Sequence, residues 1–144
     1  MLIAIPPLLG PDLLASLRAM GHGDEIALVD ANYPAQDHAR RLVRADGVGL
    51  LPLLDAVLTV LPLDHVTEYA IFRTAQNNTP PEMVKVHHEL DALCARKRPD
   101  RPVQAIAGAD FYQRVKMAHT VVATGERALY ANVILRKGVI FETE

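Results

Sequence analysis

Met20-Gly21-His22-Gly23-Asp24-Glu25-Ile26-Ala27-Leu28-Val29-Asp30 is the stretch on which the fold turns. Ile26 to Val29 is apolar without alternation and is closed by an acid, the pattern of a strand buried on both faces of a parallel or mixed sheet. Just upstream, Gly10-Pro11-Asp12 opens a helix, with Pro11 suited to the first helical position. Leu13, Leu14, Leu17 and Met20 then recur at helical spacing, and Gly21 fits the left-handed cap that ends such a helix. A helix turning directly into a doubly buried strand points to the α/β class.

The same alternation continues outward. The spacing predicts a helix over Leu50 to Val60 and a strand over Tyr69 to Phe72. Thr79-Pro80-Pro81-Glu82 has capping-box spacing and predicts the start of a helix. Met83, Val86, Leu90 and Leu93 supply that helix's apolar stripe, and Pro99 lies past its end. Val103 to Ala107 reads as a strand, Asp110-Phe111-Tyr112-Gln113 as a second capped helix start running to Ala118. Thr120 to Ala123, Tyr130 to Leu135 and Val139 to Phe141 read as the remaining strands. No repeat or linker interrupts residues 1–144, so the expectation is one α/β domain with helices on both faces of a largely buried mixed or parallel sheet.

Composition narrows the function. Half of the 144 residues are hydrophobic and the formal net charge is −2, so the chain can bury a core and lacks the basic excess of a nucleic-acid binder. Arg96-Lys97-Arg98 is a short basic run suited to a helix C-terminus. The single cysteine, Cys94, cannot form an internal disulfide, and it lies near the apolar side of its helix, where a thiol is inert. Pro52, Asp55, Thr59 and Pro62 break the longest apolar stretch, Val48 to Leu63, so no membrane span is expected, and a cytoplasmic location is the default. His87 and His88 are adjacent on a helix and point about 100° apart, which suits no shared metal ion. No dinucleotide or phosphate-binding loop stands in the sequence, so no cofactor is expected.

Three places remain as site candidates. His22, flanked by Gly21 and Gly23, can give and take a proton near neutral pH, or can be a polar loop residue. Asp30 closes a strand where α/β sheets bind ligands, or begins an Asx turn with Ala31 and Asn32; both can hold at once. Tyr130, Ala131 and Asn132 offer a phenol, an amide and a carboxamide suited to sugar hydroxyls, or form a packed strand entrance. Arg44-Ala45-Asp46-Gly47 reads as a structural ion pair beside a tight turn.

Several of these pieces occur together in one known pattern. Met20-Gly21-His22-Gly23-Asp24-Glu25-Ile26, Asp30-Ala31-Asn32-Tyr33-Pro34-Ala35 and Arg44-Ala45-Asp46-Gly47 come first in order. Phe111-Tyr112, Thr124-Gly125-Glu126-Arg127, Tyr130-Ala131-Asn132 and Lys137-Gly138-Val139 follow. The chain thereby resembles the fucose mutarotase and ribose pyranase family, closer to the fucose branch, over nearly its whole length and least between Val66 and Ala107. The resemblance implies a cofactor-free isomerase acting on a free monosaccharide. It also implies a ring-based homo-oligomer, a decamer by expectation, with active sites between neighbouring subunits. It places the catalytic histidine on His22, a sugar-binding acid on Asp30 and the substrate motif on Tyr130, Ala131 and Asn132. Family members carry a basic or imidazole side chain where this chain has Gly108, which leaves the preferred sugar open, with D-ribose and a non-catalytic sugar-binding role as the alternatives.

Overall fold

A computed structural model describes residues 1–143. Pro11 and buried Leu13 and Leu17 form helix α1, Pro11–Ala19, and strand β1 follows as Glu25–Val29. Helix α2 (Ala35–His38), strand β2 (Leu42–Ala45) and helix α3 (Leu50–Val60) come next. Strand β3 (Ile71–Arg73), helix α4 (Lys85–Lys97), strand β4 (Val103–Ala105), helix α5 (Gly108–Met117), and strands β5 (Thr120–Thr124) and β6 (Val133–Arg136) complete the order.

The six strands form one sheet in the order β2-β5-β1-β6-β3-β4. β1 pairs in parallel with β5 and antiparallel with β6, so it lies well inside the sheet. β6 is antiparallel to both of its neighbours, β1 and β3, and the other pairings are parallel. Side chains alternate across β1: Ile26 and Leu28 enter the core beneath α1, α3 and α4, while Ala27 and Val29 enter a smaller core with Phe111 and Val115 of α5. Both faces are covered, which is why the strand can be apolar throughout. On α3, Leu50, Leu53, Leu54, Val57 and Leu58 are nearly or fully buried, each worth about 1.5–3 kcal/mol.

The α/β class, the covering of both faces, β1 and the span of α3 agree with the sequence reading. Several local expectations do not. The left-handed glycine in the α1–β1 turn is Gly23, at φ 87°, and the helix is capped instead by Met20 in extended conformation. Gly23 can adopt this conformation because it lacks a Cβ, and its N–H donates to the carbonyl of Lys137 at 2.8 Å. The Thr79–Glu82 segment starts no helix; α4 begins at Lys85, where the His87 side chain satisfies the Val84 N–H. α5 begins at Gly108, two residues before Asp110. β3 starts two residues later and ends one later than expected, at Ile71–Arg73, and β6 begins only at Val133, because Tyr130 has a φ of 60° that no strand accommodates. Residues 139–141 form no strand, and β2, an edge strand of four residues, Leu42-Val43-Arg44-Ala45, is too short for its pattern to stand out in the sequence.

Candidate functional site

β1 carries a candidate at each of its ends. At the carboxyl end, Asp30 is 6% exposed, and its carboxylate accepts from the Asn32 N–H at 2.9 Å. This is the Asx turn, present together with the buried acid. The Asp30 N–H donates to Asn132 Oδ1 at 2.8 Å, which ties the end of β1 to the entrance of β6. Burial pushes the Asp30 carboxyl up, against hydrogen bonds from Asn32, Ala131 and Asn132 that favour its ionised form. The Tyr130 hydroxyl donates to Asn77 Oδ1 at 3.2 Å. Asp30, Tyr130, Ala131 and Asn132 therefore form one neighbourhood at the carboxyl edge of the sheet. A cleft of about 450 Å³ opens beside Asp30, lined also by Tyr33, Pro34, Arg44 and Thr124. That volume lies in the range of small-molecule sites.

At the other end of β1, the His22 side chain is 45% exposed, and its Nε2 lies 3.0 Å from Oδ1 of Asp64, whose side chain is wholly buried. Asp64 accepts further bonds from Arg136 Nε at 2.8 Å and the Val66 N–H at 3.1 Å. Burial opposes ionisation of Asp64, but hydrogen bonds from Arg136, Val66 and His22 outweigh it and hold the carboxyl well below the usual range. An ionised carboxylate has no proton to give, so the His22 Nε2–H is the donor. In the neutral imidazole the Nδ1 lone pair is then the accepting site. Arg136 also lies 3.6 Å from Glu25, which takes two further bonds from Arg114 at 2.8 and 2.7 Å. A second cleft, about 640 Å³, borders this network along Gly23, Glu25, Arg114, His119 and Arg136.

Within one chain the candidates thus fall into two groups. β1 spans 5 residues between them. At about 3.3 Å per residue, this sets His22 roughly 16 Å or more from Asp30. His22 and the Tyr130–Asn132 segment line neither cleft.

Sequence reasoning missed Asp64, Arg136, Thr74 and His87. The one signal for Asp64 was its position as a lone acid after Leu61-Pro62-Leu63; its burial comes from the Leu63–Lys137 bridge, which no local pattern announces. The Arg44–Asp46 pair is present and exposed, with contacts of 3.0 and 2.7 Å, and both residues line the cleft beside Asp30. Gly125 is required because a Cβ there would meet the Asp46 carbonyl at 2.0 Å. Glu126 supplies the missing cap of α3, accepting the Leu50 N–H at 3.1 Å. Gly108 lies beneath the side chain of Asn78, which a Cβ would meet at 2.5 Å. Among the described residues no group of three or more His, Cys, Asp or Glu side chains is arranged to hold a metal ion. Among them, too, no helix is long and apolar enough to cross a membrane.

The model of the RbsD / FucU transport protein family matches residues 3–140. The fucose mutarotase of Homo sapiens is 43% identical over 142 residues, which cover 94% of this chain and 92% of that protein. The L-fucose mutarotase of Glaesserella parasuis serovar 5 (strain SH0165) is 38% identical, with 96% of each covered. Among solved structures, the fucose mutarotase in complex with L-fucose from Streptococcus pneumoniae superimposes with a TM-score of 0.88 at 40% identity, over 97% of this chain and 100% of that one. RbsD of Bacillus subtilis complexed with D-ribose shares the fold at a TM-score of 0.73 and 20% identity, over 92% of this chain and 95% of that one.

Proposed function

The chain belongs to the RbsD / FucU family, and on that premise we propose that it is a mutarotase that interconverts the anomers of a free monosaccharide, L-fucose foremost. The observation that carries the reading is the exposed imidazole of His22, held through Nε2 by a buried, ionised Asp64. A ring fixed on one nitrogen presents the other in a constant direction, which proton transfer to a bound sugar needs.

The chemistry requires a base and an acid at the anomeric centre. The anomeric hydroxyl loses its proton, the ring oxygen gains one, and the C1–O5 bond breaks to give the open-chain aldehyde. Rotation about C1–C2 and re-addition of the hydroxyl to the other face give the second anomer, and every proton is returned. His22 Nδ1 is the proton acceptor and donor in this proposal. Asp30, Tyr130, the Ala131 backbone and Asn132 grip the remaining hydroxyls with a neutral and singly acidic set suited to an uncharged sugar.

One sugar cannot touch both ends of β1 in the same chain, since its ring spans far less than the strand. We therefore infer a ring-based homo-oligomer, a decamer by expectation, in which His22 of one subunit and the Asp30–Asn132 group of a neighbour face one pocket. Exposed Met117, Leu129 and Ile140 are apolar surface available for such contacts. A cytoplasmic location belongs to the same proposal and is supported by the unpaired, buried Cys94.

Gly108 favours a second reading, sugar binding without turnover, and leaves the preferred sugar open, with D-ribose as the runner-up. Under the Asn78 side chain, this position offers the sugar no basic group. Saturation-transfer NMR with fucose, ribose, rhamnose and galactose separates the readings. Exchange between anomers above the uncatalysed rate for fucose is the expected result. Exchange for ribose alone shifts the substrate, line broadening without exchange means a binding protein, and no effect with any sugar ends the proposal.

A further inference from the structure

Tyr130 is held in an uncommon way. It is a bulky residue at φ 60°, in the left-handed region that favours glycine. Its carbonyl accepts two hydrogen bonds, one from His87 Nε2 at 2.8 Å and one from the Thr74 hydroxyl. We propose that His87 and Thr74 are positioning residues that latch Tyr130 in this conformation and thereby aim the sugar-binding segment; the inference rests on the mutarotase reading of Tyr130 to Asn132.

Both residues are built for geometry and not for chemistry. The His87 ring is wholly buried. Its Nδ1 accepts the Val84 N–H at 3.1 Å, so the proton lies on Nε2 and both nitrogens are engaged. Such a ring has no lone pair left to act as a base, and burial lowers its pKa and keeps it neutral. Thr74 follows β3 and is 3% exposed. Its N–H donates to the Asn132 carbonyl at 3.2 Å while its hydroxyl reaches the Tyr130 carbonyl, so it grips the chain on both sides of Ala131. The outer ends are fixed as well, Tyr130 by Asn77 and Asn132 by Asp30. Without the latch, Tyr130 relaxes toward negative φ, and the phenol and the Asn132 carboxamide leave their alignment. Contacts that hold substrate and transition state alike are then weakened, so KM rises while kcat is kept.

The test compares His87→Leu, Thr74→Val and His87→Gln with Leu90→Ala, a core truncation on the same helix that removes none of the hydrogen bonds to Tyr130. Anomer exchange of L-fucose is followed by NMR alongside the melting temperature. The expected result is a KM raised roughly five- to tenfold in His87→Leu and Thr74→Val, the weight of about one hydrogen bond, with kcat nearly unchanged. His87→Gln restores a donor toward the Tyr130 carbonyl and recovers most of that loss. Leu90→Ala lowers the melting temperature but keeps the wild-type KM. Should His87→Leu fail to fold, Thr74→Val carries the test. A wild-type KM in the folded latch variants, or a KM that follows the melting temperature through Leu90→Ala, overturns the latch. If the wild-type protein neither exchanges nor binds any sugar, the mutarotase reading has failed. The latch is then judged by crystallography of Thr74→Val, where Tyr130 at negative φ supports it and an unchanged φ overturns it.

Discussion

Along the carboxyl edge of the sheet, Asp30, Thr74, Tyr130 and Asn132 are joined by hydrogen bonds in which Asp30 is the single charge. Along the amino edge, His22, Asp64, Arg136, Glu25 and Arg114 form an unbroken run of ionic contacts. The carboxyl edge presents a carboxylate, a phenol and a carboxamide, and the His87 ring beneath it has both nitrogens engaged. At the amino edge the half-exposed His22 imidazole is bound through Nε2 to Asp64, which Arg136 holds in turn. In the proposed mutarotase each edge supplies half of the site, and the length of β1 keeps the halves apart in a single chain.

Four measurements bear on that contrast. The largest effect is expected from His22→Ala, which loses about 10²–10⁴ of the anomer-exchange rate, the usual weight of a positioned acid–base. The half-exposed ring leaves the melting temperature nearly unchanged, and an undiminished rate removes His22 from the mechanism.

Asp64→Asn is next. It strips the buried charge from Arg136 and from His22, which are partly exposed and of which Arg136 keeps Glu25, so the loss is that of charge-assisted hydrogen bonds, about 1.5–3 kcal/mol. The sign with pH follows from linkage. A carboxyl held below its ordinary value of about 3.9 stabilises the fold above that pH, and the contribution is lost as the pH falls. Acid denaturation of D64N should therefore be shallower than that of the wild type; identical acid limbs would show that Asp64 is not the charge in question.

Mixed assembly tests the separation of the edges directly. Co-expressing His22→Ala with Asp30→Asn chains should restore exchange at about a quarter of the sites by random assortment around a ring. If the mixture is as inactive as its parents, the two edges do not meet across subunits.

The smallest effect concerns His87, whose pKa is lowered from 6.5, first by burial, with Arg73 and His88 adding and Asp91 opposing. A histidine that resists protonation in the fold stabilises at neutral pH, and that contribution fades as the pH drops below about 6.5. His87→Gln should flatten the slope of stability between neutral and mildly acidic pH in thermal melts, by a few degrees at most. A slope equal to the wild type's would assign it to other groups, His119 foremost, whose pKa burial also lowers.

Where the sequence was legible, one physical cause acted locally. Ile26 to Val29 could be read because burial on both faces leaves no polar position, and α3 because its apolar residues crowd one helix. Asp30 and its turn were legible because an Asx turn reaches only two residues. The capping pattern at Thr79–Glu82 misled because spacing offers a cap without requiring one, and Val84 found its partner in the His87 ring instead. The entrance of β6 was misread because Tyr130 takes a conformation that propensity disfavours and distant donors enforce.

The amino-acid sequence by itself determined the α/β class, the helix–turn–strand around His22, the acid at the end of β1 and the resemblance that led to sugar chemistry. Only the tertiary structure decided that Asp64 holds His22, that His87 and Thr74 grip Tyr130, and that the two candidate groups stand at opposite edges. The division has a physical reason. Periodicity and turn chemistry act over a few residues, whereas Asp64 meets His22 across 42 positions and Thr74 meets Tyr130 across 56. Contacts of that range come from how the sheet orders its strands, which no local stretch of chain encodes.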